Sequence, residues 1–268
     1  MSDDVAGYYD RNTRFFLARG EGGGEGVLHR AVWGEGVATR SEALHFVDEL
    51  VLLEIARLSV PRPRLLDLGC GVGASLLYLL ERSAAEGFGI SNSEAGLEIA
   101  RGRAGATWIA GDFEVDPLPP GIDLAYAIES FVHAKSAPGF FANVAKALRP
   151  GARLVIVDDF LEAGAGALPP VREFQRGWHA RSLLPPGDVD RIAGRVGLSL
   201  VSDRDLTPFL SLDRPRDLAI ACGVALFRPL RLTGHRYSSF LGGNALRKCL
   251  KRGLVRYRAR VWEKGAVS

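Results

Sequence analysis

The segment Leu65-Leu66-Asp67-Leu68-Gly69-Cys70-Gly71-Val72-Gly73-Ala74-Ser75 reads as a strand, a tight glycine turn and the start of a helix. Glycines let a ligand come close to the backbone. In an open parallel sheet, ligands sit at the carboxyl ends of the strands. Gly69, Gly71 and Ala74 fit G-x-G-x-x-A, so a nicotinamide dinucleotide is one reading. Asp67 speaks against it: a carboxylate two residues before the first glycine repels a pyrophosphate and suits a cationic ligand. The turn also lies behind a helical N-terminal segment. A second chemical cluster is Glu129-Ser130-Phe131-Val132-His133, at the end of another apolar strand. An imidazole there can accept a proton from a hydroxyl nucleophile. Asp158 and Asp159, just past a further strand, are the next candidates for orienting an acceptor or that histidine, or they are strand-end caps. Trp178 and His179 line an acceptor pocket, or belong to core or surface. The five histidines show no metal-ligand spacing, so no metal is expected.

The elements that must position these residues alternate. Thr39-Arg40-Ser41-Glu42 forms a capping-box pattern, and Leu44, Val47, Val51, Ile55 and Leu58 recur at spacings of three and four. An amphipathic helix over roughly 41–58 follows. Strands are expected at 64–68, 87–90, 107–110, 122–128, 153–157, 198–201 and 255–261. Helices are expected at about 74–83, behind a Ser93 cap, and through Phe140, Phe141, Val144 and Leu148. This order implies an α/β chain with a mostly parallel sheet covered on both faces. Residues 160–185 and 208–252 fall outside the alternation and are expected to pack over the ligand-binding edge. The expected divisions are an arm or lid at 1–40, a cofactor-binding core at 41–207 with its insert near 160–185, a helical lid segment at 208–252, and a final strand and C-terminus at 253–268.

Composition narrows the class. The 268 residues, 47% hydrophobic and 24% charged, suit one soluble domain of moderate size, or one domain carrying an appended lid. The acidic start and the lack of a long apolar run argue against a secretory leader or a membrane span. Cys70, Cys222 and Cys249 are dispersed, as expected of reduced cytoplasmic thiols. From Arg228 onward, eleven Lys or Arg face one acid, Glu263, giving +10. The whole chain is +3, so the remainder carries −7. The basic tract is read as a solvated rim or as a surface for an anionic or lipid-like acceptor. It lacks a nucleic-acid motif, so no nucleic acid is expected. Its later arginines are read as alternating on an edge strand.

Asp-Leu-Gly-Cys-Gly-Val-Gly closely resembles the first motif of class I S-adenosylmethionine-dependent methyltransferases. The resemblance implies a Rossmann-like seven-stranded sheet with a helical N-terminal arm and inserted lid segments, S-adenosylmethionine as cofactor, and methyl transfer to a small-molecule acceptor. It assigns Asp67, Gly69, Cys70 and Gly71 to cofactor binding. Gly111-Asp112-Phe113 resembles the motif in which the acid meets the adenine amino group and the next residue packs on the ring. Ile90-Ser91-Asn92-Ser93 lacks the usual ribose-binding acid and is similar to the sterol, tocopherol and cyclopropane-fatty-acid branch. That implies ribose and adenine contacts from Ser91 and Ser93, or from Asn92. Glu129 and His133 match the E-S-x-x-H segment of that branch and of natural-product methyltransferases, which places them near the transferred methyl with Asp159 in support. Tyr8, Tyr9, His29 and Trp33 resemble its aromatic cofactor cover, whose ring faces attract a sulfonium. The acceptor is expected to be a natural product or lipid-like metabolite, methylated on oxygen or carbon. A non-methylating use of the fold and a nicotinamide oxidoreductase are the rival readings. Homo-oligomerisation is left open.

Overall fold

The computed structural model describes residues 26–214 and 235–266. Tyr8, Tyr9, the glycine-rich run before Gly26, Cys222 and Arg231 lie outside the described residues, as does the side chain of Arg236.

The chain enters helix α1 (Arg40–Ala56) through the expected capping box. Thr39 Oγ1 accepts from the Glu42 amide at 3.2 Å, and Glu42 Oε2 accepts from the Thr39 amide at 2.8 Å. Such a cap is worth ~1 kcal/mol. Then follow β1 (Arg64–Leu68), α2 (Ala74–Arg82), β2 (Glu86–Ser91), α3 (Glu94–Arg101), β3 (Ala106–Ala110) and β4 (Ile122–Ile128). Next come α4 (Ala137–Ala147), β5 (Leu148–Leu161), α5 (Pro169–Trp178) and α6 (Pro186–Gly194). The chain closes with β6 (Leu198–Asp205), α7 (His235–Lys251) and β7 (Val255–Lys264). The seven strands form one sheet in the order β3-β2-β1-β4-β5-β7-β6. β1 to β5 run parallel, and β7 is antiparallel to both β5 and β6.

Strand alternation sorts side chains onto two cores. Leu65, Leu124, Tyr126, Val155 and Val157 face α1, α2, α5 and α7. Leu66, Ala125, Ala127, Leu154 and Ile156 face α4 and α6, where Phe140, Phe141 and Val189 are buried. This two-sided burial explains why β1, β4 and the second half of β5 read as nearly continuous apolar runs.

Two expectations about charged residues change. β5 runs on from 153–157 to Leu161, so Asp158 and Asp159 lie inside it. The later arginines are not on an edge: β7 lies between β5 and β6, and β6 is the edge strand. Arg258 pairs with Asp203 at 2.8 Å, and the buried Arg260 reaches Asp190 at 2.9 Å and Asp203 at 3.1 Å. Much of the basic tract is thus neutralised by acids of earlier segments.

Candidate active site

The glycine turn sits where β1 gives way to α2. The amides of Gly69 and Cys70 both donate to the Ile90 carbonyl at the end of β2, at 2.9 and 3.0 Å. Gly69 has φ +93°, and a Cβ there would lie 2.5 Å from Ser130 Cβ. Gly73 has φ +78°, and a Cβ would overlap the Trp108 indole. Gly71 also has positive φ, +52°, yet a Cβ would meet only Leu28 Cδ1, at 3.3 Å. The two outer glycines are therefore required by packing and the middle one by the left-handed backbone alone. Gly73→Ala should destabilise the fold by about 3 kcal/mol or more, from backbone strain plus overlap. Gly71→Ala should cost ~1 kcal/mol in stability but weaken any ligand seated on the turn. Thermal melts beside ligand titrations separate the two; equal stability losses would contradict this assignment.

One cavity brings together most of the residues singled out in the sequence. Asp67, Gly69, Cys70, Gly71, Ser91, Asn92, Ser93, Asp112, Phe113, Glu129 and His133 all line it, with His29. Tyr126 donates its hydroxyl to Asp67 Oδ2 at 3.0 Å. Burial nonetheless pushes the Asp67 carboxyl up to about 7, the Tyr126 bond opposing. Ser91 Oγ accepts from the Ser93 amide at 3.1 Å, and Ser93 Oγ caps α3 at the Gly96 amide. Asn92 is exposed at the cavity edge, and Glu94 stays on the outer face of α3, paired with Arg101. Asp112 Oδ1 accepts from the Glu114 amide at 3.0 Å, and Lys135 Nζ approaches Oδ2 at 3.4 Å. Glu114 in turn accepts from the amides of Lys135 and Ser136, at 2.8 and 2.6 Å. The Cys70 thiol is buried, which pushes its pKa up and keeps it protonated. Cys70 and Cys249 are both free cysteines.

Glu129 also lines the cavity. It has φ +50°, a left-handed backbone unusual for a residue with a side chain. Its Oε1 accepts from the Arg30 amide at 2.9 Å, from Arg30 Nε at 2.9 Å and from the Tyr257 hydroxyl at 3.0 Å. The Arg30 guanidinium also grips Asp159 through both terminal nitrogens at 3.0 Å and lies 4.0 Å over the Tyr257 ring. Burial would raise Glu129, but Arg30 and then His29 outweigh it and hold the carboxyl low. Asp159 goes the other way: its burial outweighs Arg30 and raises it. Asp158 accepts from the Val132 and Asp159 amides, at 2.9 and 2.8 Å, and burial raises it well above the carboxylate range.

Two histidines line the cavity with opposite electrostatics. His133 is buried, and burial drives its ring down to about 4, against hydrogen bonds to the backbone of His179 and Trp178. It is neutral at pH 7. Burial also pushes His29 down, but the Asp48 carboxylate 3.8 Å away outweighs burial and raises it. Asp48, on the buried face of α1, also meets His45 at 2.7 Å and is held at about 2. Environments that push like groups apart mark acid–base division.

Trp33 is 41% exposed and is not among the cavity-lining residues. Trp178 packs on Phe174 and, across α7, against Gly242 and Gly243, with its Nε1 donating to the Ser239 carbonyl at 3.0 Å. It joins two helices and is also outside the cavity lining. Arg30, Asp48 and Tyr257 were invisible as site residues. Arg30 and Tyr257 lie 99 and 128 positions from Glu129, so no local spacing announces them. No group of residues that could hold a metal ion occurs among the described residues.

Known proteins share both the pattern and the shape. A family model described as a methyltransferase domain matches residues 66–156. An O-methyltransferase of Aspergillus nomiae is 29% identical over 195 residues, covering 68% of this chain and 84% of the relative. A cycloartenol-C-24-methyltransferase of Arabidopsis thaliana is 31% identical over 160 residues, covering 56% of this chain and 45% of that protein. The structure of a geranyl diphosphate methyltransferase in complex with GPP and sinefungin superimposes with TM-score 0.75 at 18% identity, covering 97% of each chain.

Proposed function

We propose that this chain, a class I S-adenosylmethionine-dependent methyltransferase acting on a small molecule, delivers the methyl group to a hydroxyl oxygen of a natural-product or lipid-like acceptor, with His133 as general base. The observation that carries the reading is a buried, neutral imidazole lining the same cavity as the glycine turn, Asp67 and Asp112.

The residues present fit the methyl donor. The turn has no Cβ at Gly69, Gly71 or Gly73, so an amino-acid moiety can lie on the backbone. Asp67 is a buried acid suited to a cationic amino group. Ser91 and Asn92 offer the ribose edge polar groups without a carboxylate, and Asp112 with Phe113 offers an acceptor and an aromatic face for adenine. When bound, the donor supplies a methyl group activated by positive sulfur. The protein's own part is to orient, exclude water and take the proton. Proximity and alignment supply most of the rate. His133 removes the hydroxyl proton as the oxygen attacks, and the resulting imidazolium is stabilised by the ionised Glu129. An alkene carbon is the second reading, favoured by the same Glu129 charge, which would stabilise a carbocation.

Some cations of the basic tract are already engaged by acids and carbonyls of the chain itself. Arg247 donates to the Leu212 carbonyl and Asp213, and Lys251 also meets Asp213. Lys248 is exposed. No helix among the described residues is long and apolar enough to cross a membrane, and the free thiols accord with a cytoplasmic setting.

Calorimetry with S-adenosylmethionine and S-adenosylhomocysteine should show one site per chain, and Asp112→Ala should weaken both ~10-fold or more through loss of one adenine hydrogen bond. Release of S-adenosylhomocysteine on adding hydroxylated aromatic or isoprenoid acceptors then reads the reaction. Binding of a nicotinamide dinucleotide with no affinity for either adenosyl compound would overturn the reading.

A further inference from the structure

Arg30 belongs to the short stretch before α1, yet its side chain meets residues far away in sequence: Glu129 in the cavity lining, Asp159 of β5 and Tyr257 of β7. Its amide and Nε both donate to Glu129 Oε1, and its two terminal nitrogens grip Asp159. The guanidinium plane rests on Tyr257, whose hydroxyl donates to the same Glu129 oxygen. Oε1 therefore takes three donors and is saturated. Glu129 lines the cavity, and its other oxygen receives no hydrogen bond from the described residues. A fork that fills one carboxylate oxygen and grips a second acid behind it fixes the first carboxylate in position as well as in charge.

We propose that Arg30 is the positioning residue of this site: it commits Glu129 Oε1 to the protein and leaves Oε2 as a fixed anionic contact for the positively charged end of the methyl donor. This deepens the function proposed above and rests on it. Seating of the segment around Arg30 and readiness of the site then become one event, because without that segment Glu129 loses both its ion partner and its rotamer.

The groups facing Glu129 are His29 and Arg30 from the stretch before α1, His133 from the turn after β4, Asp158 and Asp159 from β5, and Tyr257 from β7. Arg30 and His29 favour the ionised form, and the two aspartates oppose it. Removing the Arg30 charge leaves Glu129 among acids and raises the pH at which it ionises.

The test compares S-adenosylmethionine, which carries a sulfonium, with S-adenosylhomocysteine, a neutral thioether of nearly the same shape. Calorimetry gives the ratio of the two affinities for each full-length variant between pH 6 and 8. In the wild-type protein the ratio should be flat with pH. In Arg30→Gln it should fall about tenfold and fall further toward pH 6, as Glu129 takes a proton. Arg30→Lys, which restores charge without the fork, should recover part of the ratio. Glu129→Gln should lose as much as Arg30→Gln, and the double variant should lose no more than either. A purely structural Arg30 would lower the melting temperature and weaken both ligands equally, with the ratio unchanged, and that result overturns the proposal. If Arg30→Gln does not fold, an unchanged ratio in Glu129→Gln overturns it. Failure of the wild type to bind either compound would instead strike the proposed function.

Discussion

Asp67→Asn should make the ligand-free protein more stable at pH 8 and cost it about 10²-fold in affinity for S-adenosylmethionine. The two effects have one cause. Burial raises the Asp67 carboxyl from 3.8 to about 7. Between those values the native state keeps a proton that the unfolded chain has given up. Native stability therefore falls as pH rises through the window from about 4 to 7, by up to ~4 kcal/mol. Asparagine carries no charge to bury, and its amide oxygen can still accept from the Tyr126 hydroxyl. The gain in melting temperature should be largest at pH 8 and vanish near pH 4. The same buried carboxylate is what a cationic amino-acid end needs, and an amide offers it half a partner. Melting curves at several pH values beside calorimetry check both. Wild-type affinity in the asparagine variant, or lower stability at pH 8, would refute the argument.

His133→Ala should leave S-adenosylhomocysteine affinity within about threefold and lower turnover by ~10²- to 10⁴-fold, the usual span for a positioned general base. The acid limb of the wild-type rate should lie near pH 4, because burial holds the ring at about 4 against an ordinary 6.5. For a base whose native pKa is depressed, stability is complete above pH 6.5 and is lost as pH falls toward 4. His133 contributes up to ~3 kcal/mol to that loss. Replacement by alanine should flatten this part of the stability profile. Turnover that survives the substitution would move the proton to another acceptor or point to a carbon nucleophile.

The parts that were legible in the sequence are those encoded by neighbours. The glycine turn is written in consecutive residues, since strand end, left-handed glycines and helix start all fall within Leu65–Ser75. The central strands β1, β4 and β5 were legible because burial on both faces leaves apolar runs, and α1 because Thr39 and Glu42 cap it locally. Strand extents were less so. β6 reaches Asp205 because the acids after Val201 pair with arginines of β7, a partnership that a hydrophobic pattern cannot report. The site followed the same division. Asp67, Asp112 and His133 sit on or beside strand ends and stood out, although neutral His133 and raised Asp67 follow from burial that appears only in the fold. Nothing in the local sequence marked Arg30, in the stretch before α1, or Asp48, on α1. Each acquires its role from partners brought together by the sheet.

The placement of β7 also bears on how the chain can be made. β7 separates β5 from β6, yet both of those strands leave the ribosome before it. While residues 206–254 are being added, β5 and β6 each have an unpaired border, and β5 carries the buried apolar run Leu154, Val155, Ile156 and Val157. Open apolar borders invite pairing with other chains. The half-sheet β3-β2-β1-β4-β5, which carries the glycine turn and Asp112, has no such need to wait. Synthesis therefore delivers the half that carries the glycine turn first and leaves a gap beside β5 until a single late strand, bringing Tyr257 with it, closes it.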